Sequence, residues 1–151
     1  MIRDYRACYD REGWSNNAVY PGVEAMLDDL RAAGFPLFVC TSKPLHFALR
    51  ILDFFSLSGK FQMIYGDKPE FASHSKVDLL ASLLHEQNLA TGNAWMIGDR
   101  IYDYEAAHAN GVLSLAAGWG YGSAEEYTEA DAVAAAPADV FRLVSDATLR
   151  G

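Results

Sequence analysis

The sequence is short of cysteine, of positive charge and of long apolar runs, and each shortage excludes something. Among 151 residues there are two cysteines, Cys8 and Cys40. Two thiols make neither a disulfide framework nor the paired spacing of a zinc site. Cys40 lies in the apolar run LFVCTS and reads as a small buried residue. Lysine and arginine total 12 against 20 aspartates and glutamates, a net charge of −8. That balance argues against a nucleic-acid backbone or an anionic membrane surface as the main partner. It leaves room for a small anionic ligand, because a local site can be positive within an acidic protein. No apolar stretch approaches the roughly 18 residues of a membrane span. The opening segment, MIRDYRACYDREG, lacks the apolar core of a secretory signal, so the cytoplasm is the expected location. There is no internal repeat and no low-complexity linker. No Gly-x-Gly-x-x-Gly turn follows the first strand, which sets aside a dinucleotide-binding module.

What is present is enough for one ordinary domain: 51% of the residues are hydrophobic and 21% charged. Met1 to about Gly13 has rough helical spacing, and Trp14–Tyr20 is a polar loop. Pro21-Gly22 opens a helix over Val23–Ala33 that stops at Gly34. Phe35–Cys40 reads as a buried strand, Thr41–Pro44 as a turn with Pro44 first in the helix that follows, and Leu45–Phe55 as that helix. A strand over Phe61–Tyr65 ends in Gly66-Asp67. A helix over Lys76–Gln87, a strand over Ala94–Ile97 and a helix over Ile101–Ala109 come next. Val112–Ala116 is a further strand, followed by the glycine-rich loop Gly118–Gly122. Ser123 caps a short helix, Ala124–Tyr127; Ala132-Val133 is a minor edge strand, and Pro137 opens a last helix. Strands alternating with helices predict an α/β fold, a parallel sheet with helices on both faces.

Three features fall at carboxyl ends of these strands, where open α/β sheets bind ligands. Thr41-Ser42-Lys43 offers hydroxyls and backbone N–H groups to a phosphate, or serves only as a helix N-cap. Lys76 opens a helix, the wrong end for a cation in the helix dipole. Either an anionic partner compensates it or it is a solvated lysine whose stem covers apolar surface. Asp99 and Asp103, four apart, suit a hard cation such as Mg2+, or are an N-cap and a first-turn acid. Together, a hydroxyl, a lysine and a carboxylate pair on one sheet edge fit a Mg2+-dependent phosphoryl site.

The pieces YPGVEAMLDDLRAAG, TSKP, the helix led by Lys76, MIGDRIYDYEAAHANGV and WGYGSAEEY occur in that order. They resemble the haloacid dehalogenase superfamily, in its phosphoglycolate phosphatase-like branch, from about Tyr20 to the end. The resemblance implies a Rossmannoid core over residues 21–151, preceded by a remnant of a helical cap and linker over residues 1–20. It implies that Thr41 with Ser42 holds the phosphoryl oxygens and that Lys76 neutralises nucleophile and phosphate, a catalytic role. It implies that Asp99 ligates Mg2+ and Asp103 supports the metal through water, with a small phosphorylated metabolite as substrate. Trp119 and Tyr121 either line the site entrance or pack the loop on the core.

The family's first motif, an apolar strand followed by Asp-x-Asp-Gly-Thr, is absent. It carries the nucleophilic and the acid/base aspartate. Asp10-Arg11-Glu12-Gly13 is only superficially similar, with no strand before it, and Asp4 is a weaker candidate still. The expectation is therefore a fragment of a phosphatase, inactive alone, with the central strand and most of the cap missing. Two buried strand edges would then lack partners. Either the remaining strands close up, or a second copy pairs with the exposed edges as a homodimer. The alternative function is a non-catalytic module that binds phosphate or Mg2+ or self-associates.

Overall fold

The computed structural model describes residues 2–3, 19–68 and 75–150. It is a six-stranded, all-parallel sheet in the order β3-β2-β1-β4-β5-β6. The strands are β1 (Ile2–Arg3), β2 (Phe38–Pro44), β3 (Met63–Asp67), β4 (Trp95–Gly98), β5 (Leu113–Ala117) and β6 (Ala132–Ala134). The helices are α1 (Val23–Ala32), α2 (Leu45–Phe54), α3 (Lys76–Glu86), α4 (Ile101–Ala109), α5 (Ala124–Tyr127) and α6 (Val140–Arg150).

Strand alternation sorts the core into two layers. On one face Val39, Trp95, Ile97 and Leu115 pack against Val23, Leu27 and Leu30 of α1, Ile51 and Leu52 of α2, and Val140 and Val144 of α6. On the other, Phe38, Cys40 and Met96 meet Leu80, Leu83 and Leu84 of α3 and Ala106 and Ala107 of α4. Two buried alanines on α4 let that helix sit close to the sheet. A helix layer on each face is what a fully buried parallel sheet requires.

The central position corrects one expected detail. The slot between β2 and β4, expected to be empty, is taken by Ile2–Arg3, with Ile2 opposite Phe38 and Met96 and Arg3 opposite Val39 and Ile97. The expected helical spacing of the opening segment gives way to two residues of strand there, because the neighbouring edges supply ready hydrogen-bond partners. The outer edges of the sheet are β3 and β6. Met1 and residues 4–18, with Asp4, Cys8 and the Asp10–Gly13 segment, lie outside the described residues, as does most of the expected cap remnant over residues 1–20.

A second correction concerns TSKP. Thr41–Pro44 continues β2 rather than turning, and Pro44 pairs with Asp67 across a register shift after Cys40. Pro44 is the N-cap residue of α2, not its first helical residue, with ψ at 136°. β3 runs on through Gly66-Asp67 for the same reason: the two strand ends pair. A side chain at Gly66 would press on the Lys43 carbonyl and the Leu45 backbone, so glycine lets the strands stay together.

Candidate phosphoryl site

The carboxyl edge of the sheet gathers Thr41 from the second half of β2 and Asp99 just beyond β4. Lys76 and Asp103 reach the same edge from the first turns of α3 and α4. All four are buried: Thr41 is 3% exposed, Lys76 9%, Asp99 5% and Asp103 0%. Burying charge without partners is costly, and the geometry supplies them.

Lys76 Nζ donates to Asp103 Oδ1 at 2.5 Å, an ion pair closed off from water. Ser75 caps α3, its Oγ accepting the Asp78 N–H, which sets Lys76 at the first helical position. The pair explains how a lysine tolerates that end of the dipole. Burial pushes the Lys76 ammonium below its ordinary value, and Asp103 and then Asp99 oppose that shift. The second oxygen of Asp103, Oδ2, accepts the Arg100 N–H at 3.1 Å and so caps α4. The first-turn position expected of Asp103 is thus realised alongside its pairing with Lys76. Gly98 is required beneath it, since a Cβ there would stand 2.1 Å from Asp103 Oδ2.

Asp99 is not the cap of α4; Arg100 holds that position. Asp99 Oδ2 instead accepts the Tyr121 N–H at 2.9 Å from the glycine-rich loop. A Cβ at Gly120 would stand 2.3 Å from Asp99 Cβ, so the loop can only lie this close as glycine. Trp119 packs on the core, whereas Tyr121 is 55% exposed and meets Tyr20 edge-on with centroids 6.4 Å apart. Thr41 and Ser42 do not cap α2, which has no side-chain cap. Thr41 Oγ1 accepts the Lys43 N–H at 3.2 Å. Ser42 is exposed and, with Lys76, lines a cavity of about 260 Å3 that extends along β3 to Glu86. Cys40 is buried, as expected, and its thiol is pushed up to about 12, by burial first and the Asp103 charge second.

The profile of the haloacid dehalogenase-like hydrolases matches residues 1–117. The chain belongs to that family. Among its relatives is the tyrosine-protein kinase PtkA of Mycobacterium tuberculosis, 40% identical over 121 residues, covering 80% of this chain and 42% of that one. The solved structure of PtkA superposes with a TM-score of 0.73 at 34% identity, covering 87% of this chain and 62% of that one. A 5′-nucleotidase of Pseudomonas aeruginosa is 35% identical over 125 residues, 83% of this chain and 57% of that one. A phosphoglycolate phosphatase of Psychrobacter arcticus is 37% identical over 119 residues, 76% of this chain and 50% of that one. The chain spans about half the length of these relatives.

As a haloacid dehalogenase-like chain it should accommodate a cation at this edge, and the donor set supports part of that. Asp99 is a carboxylate at a strand terminus, the oxygen chemistry that a hard cation prefers. Asp103 has one oxygen on Lys76 and the other on Arg100, so it faces its protein partners first. Among the described residues no three histidine, cysteine, aspartate or glutamate side chains gather to hold a metal by themselves. Asp99 thus offers carboxylate chemistry suited to a cation, and Asp103 stands beside it engaged by Lys76 and Arg100.

Sequence reasoning passed over Arg100 and Glu126. Arg100 Nε donates to Glu126 Oε2 at 3.0 Å. Their signal was faint: a charged residue beside Asp99, and an acid four residues past the glycine-rich loop. The contact spans 26 positions, which no local pattern reveals. Tyr104 lies within the expected helix over Ile101–Ala109; its hydroxyl donates to the Gly98 carbonyl at 3.0 Å and pins the strand end that presents Asp99.

Proposed function

We propose that this chain carries the phosphate- and cation-binding part of a Mg2+-dependent phosphomonoester hydrolase of the phosphoglycolate phosphatase-like kind, acting on a small phosphorylated metabolite. The observation that carries the reading is the closed Lys76–Asp103 pair beside Asp99 at the carboxyl edge. In this reading Thr41 and Ser42 offer hydroxyls to phosphoryl oxygens, and Lys76 offsets the charge of the phosphate. Asp99 would hold Mg2+ while Asp103 orients Lys76. A cation bound there supplies charge neutralisation of the phosphoryl oxygens.

The sequence contains no Asp-x-Asp-Gly-Thr. Phosphoryl transfer through an aspartyl-phosphate needs a carboxylate in line with phosphorus. The chain as given is therefore proposed to bind without turning over. The test is hydrolysis of p-nitrophenyl phosphate with and without Mg2+. No detectable Mg2+-dependent release is expected; robust turnover abolished by Asp99→Asn would overturn the inactivity. Thermal melting in millimolar Mg2+ tests binding separately. A rise in Tm that Asp99→Asn removes supports the site, and no shift counts against it.

We also propose the cytoplasm as its compartment; no described helix is long and apolar enough to cross a membrane. Association of two copies remains a proposal as well, now through β3 or β6, the outer edges of the sheet. Sedimentation at several concentrations decides it.

A further inference from the structure

Arg100 and Glu126 take no part in the phosphoryl chemistry above, yet they join the two segments that hold Asp99. Arg100 follows Asp99 directly and opens α4. Its Nε donates to Glu126 Oε2 at 3.0 Å and its Nη2 donates to Oε1 at 3.3 Å, a two-pronged contact of fork on carboxylate. Glu126 Oε2 also accepts the Ile101 N–H at 3.3 Å. One glutamate thus grips both the side chain and the backbone at the start of α4.

Glu126 is itself held by its own loop. Ser123 Oγ accepts the Glu126 N–H at 3.1 Å, which caps α5. The stretch leading into that cap is Gly120-Tyr121-Gly122. Its Tyr121 N–H reaches Asp99 Oδ2 at 2.9 Å. The approach is so close that a Cβ at Gly122 would stand 2.0 Å from the Asp99 carbonyl oxygen. The peptide after Asp99 is therefore fastened to α5, and the carboxylate of Asp99 is fastened to the loop before α5. Both fastenings depend on where α5 sits. α5 is a single turn and its apolar anchoring is slight: none of its four residues is buried.

We propose that Glu126 is a positioning residue for Asp99. By anchoring the loop over residues 118–126 to the start of α4, it fixes the orientation of the Asp99 carboxylate. This deepens the reading of Asp99 as the cation ligand and rests on it. An Arg–carboxylate fork suits the task, because it sets direction as well as distance.

The experiment compares wild type, Glu126→Gln and Asp28→Asn, the last removing the exposed Lys60–Asp28 pair as a control. Two readouts are taken: amide hydrogen exchange by NMR in metal-free protein, and Mg2+ affinity by calorimetric titration. For Glu126→Gln, exchange at Tyr121 rises on the order of 10-fold while Ile97 in β4 keeps its protection, the pattern of a local opening. Mg2+ binding weakens about 3-fold or more, on the order of the net worth of one ordinary hydrogen bond. Asp28→Asn changes neither. Unchanged exchange at Tyr121 in Glu126→Gln overturns the proposal. So does a rise shared equally by Tyr121 and Ile97, which would mark Glu126 as merely stabilising. If wild type itself takes up no Mg2+, the cation reading of Asp99 fails, and the exchange comparison still decides whether Glu126 holds the Asp99 loop.

Discussion

Replacing Lys76 by methionine is the most direct test of how this edge is built. The substitution keeps an unbranched side chain one heavy atom shorter and removes its charge. Asp103 is completely buried and the Lys76 side chain is 6% exposed, so water screens neither partner. At 2.5 Å the gross attraction is several kcal/mol even with an effective dielectric of about 20. Much of that is offset by the desolvation of both ions, so the pair as a whole adds little. Removing one partner is different, because it strands a buried carboxylate, at a cost of about 3–5 kcal/mol. The Arg100 N–H remains on Oδ2, which places Lys76→Met near the lower end, about 3 kcal/mol. For a chain of this size each kcal/mol moves Tm by about 2–4 °C, so a fall of roughly 10 °C is expected. Urea unfolding followed by circular dichroism reads the free energy. Asp103→Asn should cost a similar amount by stranding the ammonium. The double variant Lys76→Met/Asp103→Asn should lie closer to wild type than the two losses summed, which is the sign of direct coupling. Losses under about 1 kcal/mol in both single variants, the value of an exposed pair, would refute the reasoning.

Three further outcomes follow from the same geometry. Gly98→Ala should destabilise by more than about 2 kcal/mol in the same urea assay, because its Cβ would collide with Asp103 Oδ2 on a strand backbone that cannot retreat; a neutral substitution would show that α4 can shift. Cys40, with its thiol pushed up to about 12, should resist iodoacetamide in native protein at pH 8 and react only after unfolding, as read by peptide mass mapping. Glu126 is held below the ordinary carboxylate range chiefly by the Arg100 hydrogen bond. A depressed carboxylate contributes stability that is present above its unfolded value and lost as pH falls through its folded one. Wild type should therefore lose more stability than Glu126→Gln as pH falls from about 5 to 3, measured by thermal melting; parallel curves would refute the link.

The sequence by itself determined the fold class, because the alternation of apolar strands and amphipathic helices is local and strong. Helices α1, α3 and α4 fall within a residue of their expected ends. It also placed Thr41, Lys76, Asp99 and Asp103 on one edge, since parallel strands put all their carboxyl ends on the same side. What only the tertiary structure decided was which of these groups face each other. Asp103 and Lys76 lie 27 positions apart, and their pairing follows from α3 and α4 packing side by side over Phe38 and Met96. The continuation of β2 through Pro44 depends on β3 offering it a partner, and local turn chemistry carries no trace of that strand. The slot filled by Ile2–Arg3 is likewise a property of two neighbouring edges rather than of the residues that enter it. The contact of Glu126 with Arg100 joins a loop to a helix across 26 residues. Periodicity reports which face a residue turns; only the folded chain brings distant residues close enough to bond.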